Sequence, residues 1–163
     1  MARNILFVCT GNSCRSVMAQ GLLQQQLKPL AHRLRQPVEV DSAGVSAFDG
    51  MSPSREALTL LQRAGIDLSG HMAKSLTDEM IRRADLIFVM EPFHVDEVVR
   101  RAPDAKAKTH LLRRYGVPAH DAAAVEAGIA DPIGRSMDVY ERCFAVIREA
   151  VGRVANSLVA EAP

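Results

Sequence analysis

The chain has 163 residues, with 20 Lys and Arg against 19 Asp and Glu and a formal net charge of +1, so it has no bulk attraction for nucleic acid or an acidic membrane surface. Its 48% hydrophobic content suits one packed domain over residues 1–163, and three cysteines are too few for a disulfide framework. The N-terminal apolar run is shorter than the roughly 7–15 residues of a signal core, and no stretch approaches the roughly 20 of a membrane span; a cytoplasmic monomer or weak homodimer is expected.

Asn4-Ile5-Leu6-Phe7-Val8 is a short apolar run of strand formers, with the strand predicted over Ile5 to Val8, that delivers Cys9 to the end of a buried parallel strand. Met18, Ala19, Leu22, Leu23 and Leu27 then recur at helical spacing, which predicts a helix over 16–27. The basic stretch from Lys28 to Arg35 reads as a solvated helix end and loop.

Further strands are predicted at Val38 to Asp41, Leu86 to Met90 and around Thr109 to Leu112, alternating with helices at 54–64, 77–84, 92–101 and 137–160. Ser75 or Thr77 caps the helix at 77–84, which has Asp78 and Glu79 early and Arg82 and Arg83 late, matching the helix dipole. A Gly- and Ala-rich connection runs from Gly116 to Ala130, and long connections are often functional. In the last helix Cys143 falls on an apolar stripe with Val139, Val146, Ile147, Ala150, Val154 and Leu158, which places it in the core. The alternation predicts an α/β fold of three layers, a central four-stranded parallel sheet with helices on both faces. Ligands of such sheets bind at the strands' carboxyl ends, beside a topological switch, and Cys9 lies at such an end.

The loop from Cys9 to Ser16 reads Cys-Thr-Gly-Asn-Ser-Cys-Arg-Ser and joins the first strand to the first helix. Cys9 and Arg15 bracket five residues, Thr10, Gly11, Asn12, Ser13 and Cys14, a length that wraps one tetrahedral oxyanion. Unpaired N–H groups of the loop and first helical turn, together with the positive end of the helix dipole, favour a phosphate there. The same field favours the thiolate of Cys9, a nucleophile at neutral pH. Arg15 supplies a planar fork for two phosphoryl oxygens, and Ser16 can donate its hydroxyl towards the sulfur.

This loop resembles the signature of the low-molecular-weight protein-tyrosine phosphatase family, including its protein-arginine phosphatase branch. The likeness continues through Asp41-Ser42-Ala43-Gly44, Gly65-Ile66, Gly70-His71-Met72-Ala73-Lys74, Ala84-Asp85-Leu86-Ile87-Phe88-Val89-Met90 and Asp131-Pro132. It implies that Cys9 attacks phosphorus, that Asp131 protonates the leaving group, and that a phosphocysteine is then hydrolysed without metal or other cofactor. An acid is chemically apt, because a phenolate of conjugate-acid pKa about 10 departs more easily once protonated. The five histidines show no His-Glu-x-x-His motif and the cysteines no paired zinc spacing. By the same resemblance Asn12, Ser42 and His71 form a network that holds the loop, and Cys14 is the partner for an oxidative disulfide with Cys9. Read as bare residues, those three are a turn asparagine, a strand-end serine and a surface or capping histidine, and Cys14 is a packing residue on the first helical turn.

The chain departs from the family at Val17 and Gln20, where proline and glutamate are usual, and at Ile133-Gly134, where phosphotyrosine-selective members often carry two tyrosines. Phe48 and Ile133 are the candidates for the wall beside the substrate. Ser13 resembles the threonine of the arginine-phosphatase branch more than the bulky aliphatic residue of tyrosine-selective members. Phosphotyrosine is the first expectation for the phosphorylated protein substrate, and phosphoarginine stays open. An arsenate reductase would need relay cysteines, yet none lies between Cys14 and Cys143. A thiol-redox protein would leave Arg15 and Asp131 without a role, and a silent phosphate-binding module would not need Cys9, Arg15 and Asp131 together.

Overall fold

The computed structural model describes residues 1–161; the last two positions of the expected 1–163 domain lie outside the described residues. Four parallel strands, β1 (Arg3–Cys9), β2 (Val38–Gly44), β3 (Leu86–Val89) and β4 (Thr109–Leu111), pair in the order β2-β1-β3-β4. The chain leaves β1 for β2 on one side and then returns to β3 on the other. The carboxyl end of β1 is therefore the topological switch, where ligands of such sheets bind.

Alternation along β1 divides the core. Ile5, Phe7 and Cys9 face one layer and pack with buried residues of α1 (Arg15–Leu27), α2 (Arg55–Arg63) and α6 (Met137–Ala160). Leu6 and Val8 face the other, with Ile81 of α3 (Asp78–Arg83) and Val98 of α4 (Pro92–Arg101). The three layers follow from that period of two, because β1 and β3 are apolar on both faces.

Local signals set the helix limits. Thr77, rather than Ser75, caps α3 by accepting from the Met80 N–H at 3.2 Å, and Ser54 caps α2 by accepting from the Ala57 N–H at 3.2 Å. The first helix begins at Arg15, one residue earlier than its apolar periodicity indicates, so the guanidinium is itself on the first helical turn. The fourth-strand run stops at Leu111 and the third at Val89, where inter-strand pairing ends.

Three short elements went unpredicted. Lys28–Arg33 and Pro103–Lys108 are 3₁₀ helices, each with a proline in its first turn, Pro29 and Pro103, whose fixed φ suits that position. The connection from Gly116 to Ala130 carries a single turn of helix, α5 (Ala119–Ala122), too short to leave any periodicity in the sequence. Cys143 is buried on α6, and its apolar surroundings push its thiol up to about 12.

Candidate active site

Strand β1 ends at Cys9 and α1 begins at Arg15, so the five residues between them must reverse the chain within a tight turn. Asn12 makes that possible by adopting a left-handed backbone, φ 51°, a conformation that asparagine tolerates better than most residues. Loop carbonyls are taken up from outside: Cys9 accepts from the Val45 N–H, Thr10 from Ser46, and Ser13 from Ser54, each at 2.9 Å. Such anchoring leaves the N–H side of the turn to an anion at the N-terminus of α1. Gly44, opposite Cys9 in the sheet, is required for the close approach, since a Cβ there would lie 2.5 Å from the Thr10 carbonyl oxygen.

The Asn12 side chain binds the loop to its surroundings. Its amide donates to Ser16 Oγ at 2.8 Å and to Ser42 Oγ at 2.9 Å, while its Oδ1 accepts from the Lys74 N–H at 3.0 Å and lies 3.2 Å from His71 Nε2. Burial holds His71 below the usual histidine value, and Nε2–H is then the donor to Oδ1. The sequence-predicted residues Asn12, Ser16, Ser42 and His71 thus form one connected network. Gln20 completes it by accepting from Ser42 Oγ at 2.5 Å, which gives that departure from the family pattern a defined partner. Val17 is fully buried.

Cys9 Sγ is buried, 2.9 Å from Ser16 Oγ and 3.3 Å from the Asn12 N–H that donates to it. Arg15 is only 1% exposed, so its charge must be met inside the protein. Its Nη1 donates to Glu91 Oε2 at 2.6 Å and to the Ile129 carbonyl at 2.8 Å, and its Nη2 lies 3.4 Å from Asp131 Oδ2. Asp131 reaches the site from the connection before α6; its Oδ1 accepts from the Ile133 N–H at 3.1 Å, which leaves Oδ2 towards Arg15. Asp131, far downstream in sequence, thus joins Cys9 and Arg15 at the carboxyl end of β1.

Phe48 is 79% exposed and Ile133 54% exposed. Ile133 follows Asp131 directly, and the Phe48 loop is tied to residues beside the turn through Ser46 and Ser54. Cys14 is the N-cap residue of α1 rather than part of its first turn, with its Sγ 3.3 Å from Tyr140 Oη and donating to Ser54 Oγ at 3.4 Å. All three cysteines are free thiols.

Sequence reasoning missed Glu91, His94 and Tyr140. Glu91 is the N-cap of α4 and His94 lies on its first turn, just past β3, where a carboxyl-end position in a parallel sheet is itself a signal for site residues. Tyr140 lies one turn into α6 and is fully buried, its hydroxyl against Cys14 Sγ, and burial raises its ionisation above the ordinary tyrosine value. Among the described residues no group of three or more His, Cys, Asp and Glu side chains is placed to hold a metal ion.

The family described as low molecular weight phosphotyrosine protein phosphatase matches residues 4–163. A protein-arginine-phosphatase of Geobacillus stearothermophilus is 36% identical, covering 99% of each chain. A probable low molecular weight protein-tyrosine-phosphatase, EpsP of Ralstonia nicotianae, is 36% identical over 93% of this chain and 92% of its own. The solved structure of the YwlE arginine phosphatase from Geobacillus stearothermophilus superposes with a TM-score of 0.84 at 36% identity, over 98% of this chain and 94% of its own. Another solved YwlE arginine phosphatase, a cysteine-to-serine mutant with a phosphorylated active-site serine, has a TM-score of 0.85 at 28% identity and covers 97% of each chain. The chain belongs to the low molecular weight phosphotyrosine protein phosphatase family, whose members are cysteine-based phosphatases acting on phosphorylated proteins.

Proposed function

We propose that residues 1–163 form one phosphatase domain that hydrolyses phosphotyrosine in proteins, with Cys9 as nucleophile, Arg15 as phosphate clamp and Asp131 as general acid. The observation that carries this reading is the convergence of a buried Cys9, a buried Arg15 and Asp131 at one loop, with Asp131 Oδ2 3.4 Å from the guanidinium. The phosphorylated serine in the related mutant supports a covalent step at the nucleophile position.

In the first step the Cys9 thiolate attacks phosphorus, and a sulfur–phosphorus bond forms as the bond to the tyrosine oxygen breaks. Asp131, as carboxylic acid, gives its proton to that oxygen. Arg15 holds two equatorial oxygens with the edge of the guanidinium that Glu91 and Ile129 leave open. In the second step Asp131, now carboxylate, takes a proton from water; the water oxygen attacks phosphorus and the sulfur–phosphorus bond breaks. Ser16 stabilises the departing thiolate through its hydroxyl, 2.9 Å from the sulfur. No step calls for a metal or other cofactor.

Phosphoarginine is the second reading. Ser13 is a small hydroxyl residue in the loop, Ile133 supplies no aromatic wall, and a protein-arginine-phosphatase is 36% identical over 99% of the chain. Phosphate release from matched phosphotyrosine and phosphoarginine peptides, beside a Cys9→Ser variant, tests both. Wild-type release that Cys9→Ser abolishes supports the mechanism, and the ratio of the two rates selects the substrate. No release from either peptide under reducing conditions overturns the reading.

We further propose a cytoplasmic protein, monomeric or weakly dimeric, without nucleic acid or membrane as partner; the formal charge of +1 gives no bulk attraction for either, and among the described residues no helix is long and apolar enough to cross a membrane.

A further inference from the structure

His94 is completely buried, with both ring nitrogens engaged. The Glu91 backbone N–H donates to its Nδ1 at 3.0 Å, and its Nε2 lies 2.9 Å from Thr10 Oγ1. A backbone N–H can only donate, so Nδ1 carries no proton; in the neutral ring the proton is on Nε2 and is donated to Thr10. Burial, and secondarily the charge of Arg15, hold His94 down to about 4, so the ring is neutral in ordinary buffers.

The placement matters because the N-cap and first turn of α4 touch both ends of the phosphate-binding loop. His94 meets Thr10, the residue after Cys9, and Glu91 meets Arg15. Thr10 is also held through its carbonyl by the Ser46 N–H, so the turn beyond the nucleophile is gripped from two directions. The Phe93 ring, its centroid 4.1 Å from that of His94, lies beside the imidazole.

The geometry points to His94 as a positioning residue: its Nε2–H, donated to Thr10, fixes the turn that follows Cys9, while its Nδ1 holds the backbone of Glu91, whose side chain orients Arg15. His94 touches no reacting atom and acts through Thr10 and Glu91. The inference rests on the assignment of Cys9 and Arg15 above.

The test combines a spectroscopic signature with a double-mutant cycle. Imidazole nitrogen NMR of the wild type should show His94 as the neutral Nε2–H tautomer, unchanged between pH 6 and 8; a charged ring or an Nδ1–H tautomer overturns the inference. Thr10→Val removes the acceptor with little change of shape. His94→Asn keeps an acceptor for the Glu91 N–H but does not reach Thr10. Each should lower kcat/KM for a simple aryl phosphate on the order of tenfold, the worth of one buried hydrogen bond, with both variants folded at the assay temperature and Thr10→Val melting lower than wild type because the buried His94 Nε2–H loses its acceptor. The double variant should be no worse than the more impaired single one. Independent losses that multiply in the double variant, or full activity in Thr10→Val, overturn the inference. Aryl phosphate hydrolysis that survives in Cys9→Ser overturns the underlying assignment instead, so the two failures are distinguishable.

Discussion

Ser16 Oγ lies 2.9 Å from Cys9 Sγ, and because Asn12 Nδ2 already donates to that oxygen, the serine hydrogen is directed to the sulfur. A thiolate is stabilised by this contact both as attacking and as leaving group. Ser16→Ala should lower kcat roughly tenfold to a hundredfold, the worth of about 1.5–3 kcal/mol for a hydrogen bond to a charged group. Phosphocysteine breakdown should slow most, so single-turnover kinetics should show the covalent species accumulating. An unchanged rate of breakdown would contradict this role.

Asp131→Asn removes the proton donor while keeping the shape of the side chain. For aryl phosphates with a leaving group of pKa about 10, kcat should fall by about 10²–10⁴, and with an acidic nitrophenol the loss should shrink. The rates are read as a leaving-group series, in which the variant should show the steeper slope. Equal slopes would remove Asp131 from the acid role.

Asn12 carries a positive φ and four partners in the network. Asn12→Ala leaves the Lys74 N–H and two serine hydroxyls without their partner and should cost about 1–3 kcal/mol of stability. Asn12→Gly relieves the backbone conformation but not the lost bonds, so thermal melts should find it destabilised as well. If Asn12→Gly melts as the wild type does, the side-chain network is dispensable.

Acid should weaken the fold through His94. An unfolded histidine takes up its proton near pH 6.5, whereas folded His94 does so only near 4. Between those values the unfolded chain binds more protons, so this contribution is complete above about 6.5 and is lost as pH falls towards about 4. Melting temperatures measured across this range should decline less steeply for His94→Gln than for wild type. Parallel declines would show that His94 is not held neutral by the fold.

Much of the site is readable in the sequence because its densest part is contiguous: Cys9 through Ser16 form one turn between a strand and a helix, and each element has its own periodicity. The four-stranded sheet was legible for the same reason, since the runs at Ile5, Val38, Leu86 and Thr109 are short, apolar and separated by helical patterns. Gln20 reads as a departure from the family until the fold brings it to Ser42. Glu91 and His94 meet Arg15 and Thr10 across 76 and 84 residues of chain, and no local pattern records a contact of that span. The 3₁₀ helices and α5 escaped because four to six residues are too few for a period to show.

The central claim is that phosphate passes through the sulfur of Cys9. Wild type mixed with excess phosphotyrosine peptide or aryl phosphate and quenched within the first turnover, then digested and analysed by mass spectrometry, tests it directly. A phosphoryl group on the peptide containing Cys9, absent from Cys9→Ala and more abundant in Ser16→Ala, is the predicted result. Turnover with no covalent adduct, or continued phosphate release by Cys9→Ala, would contradict the account.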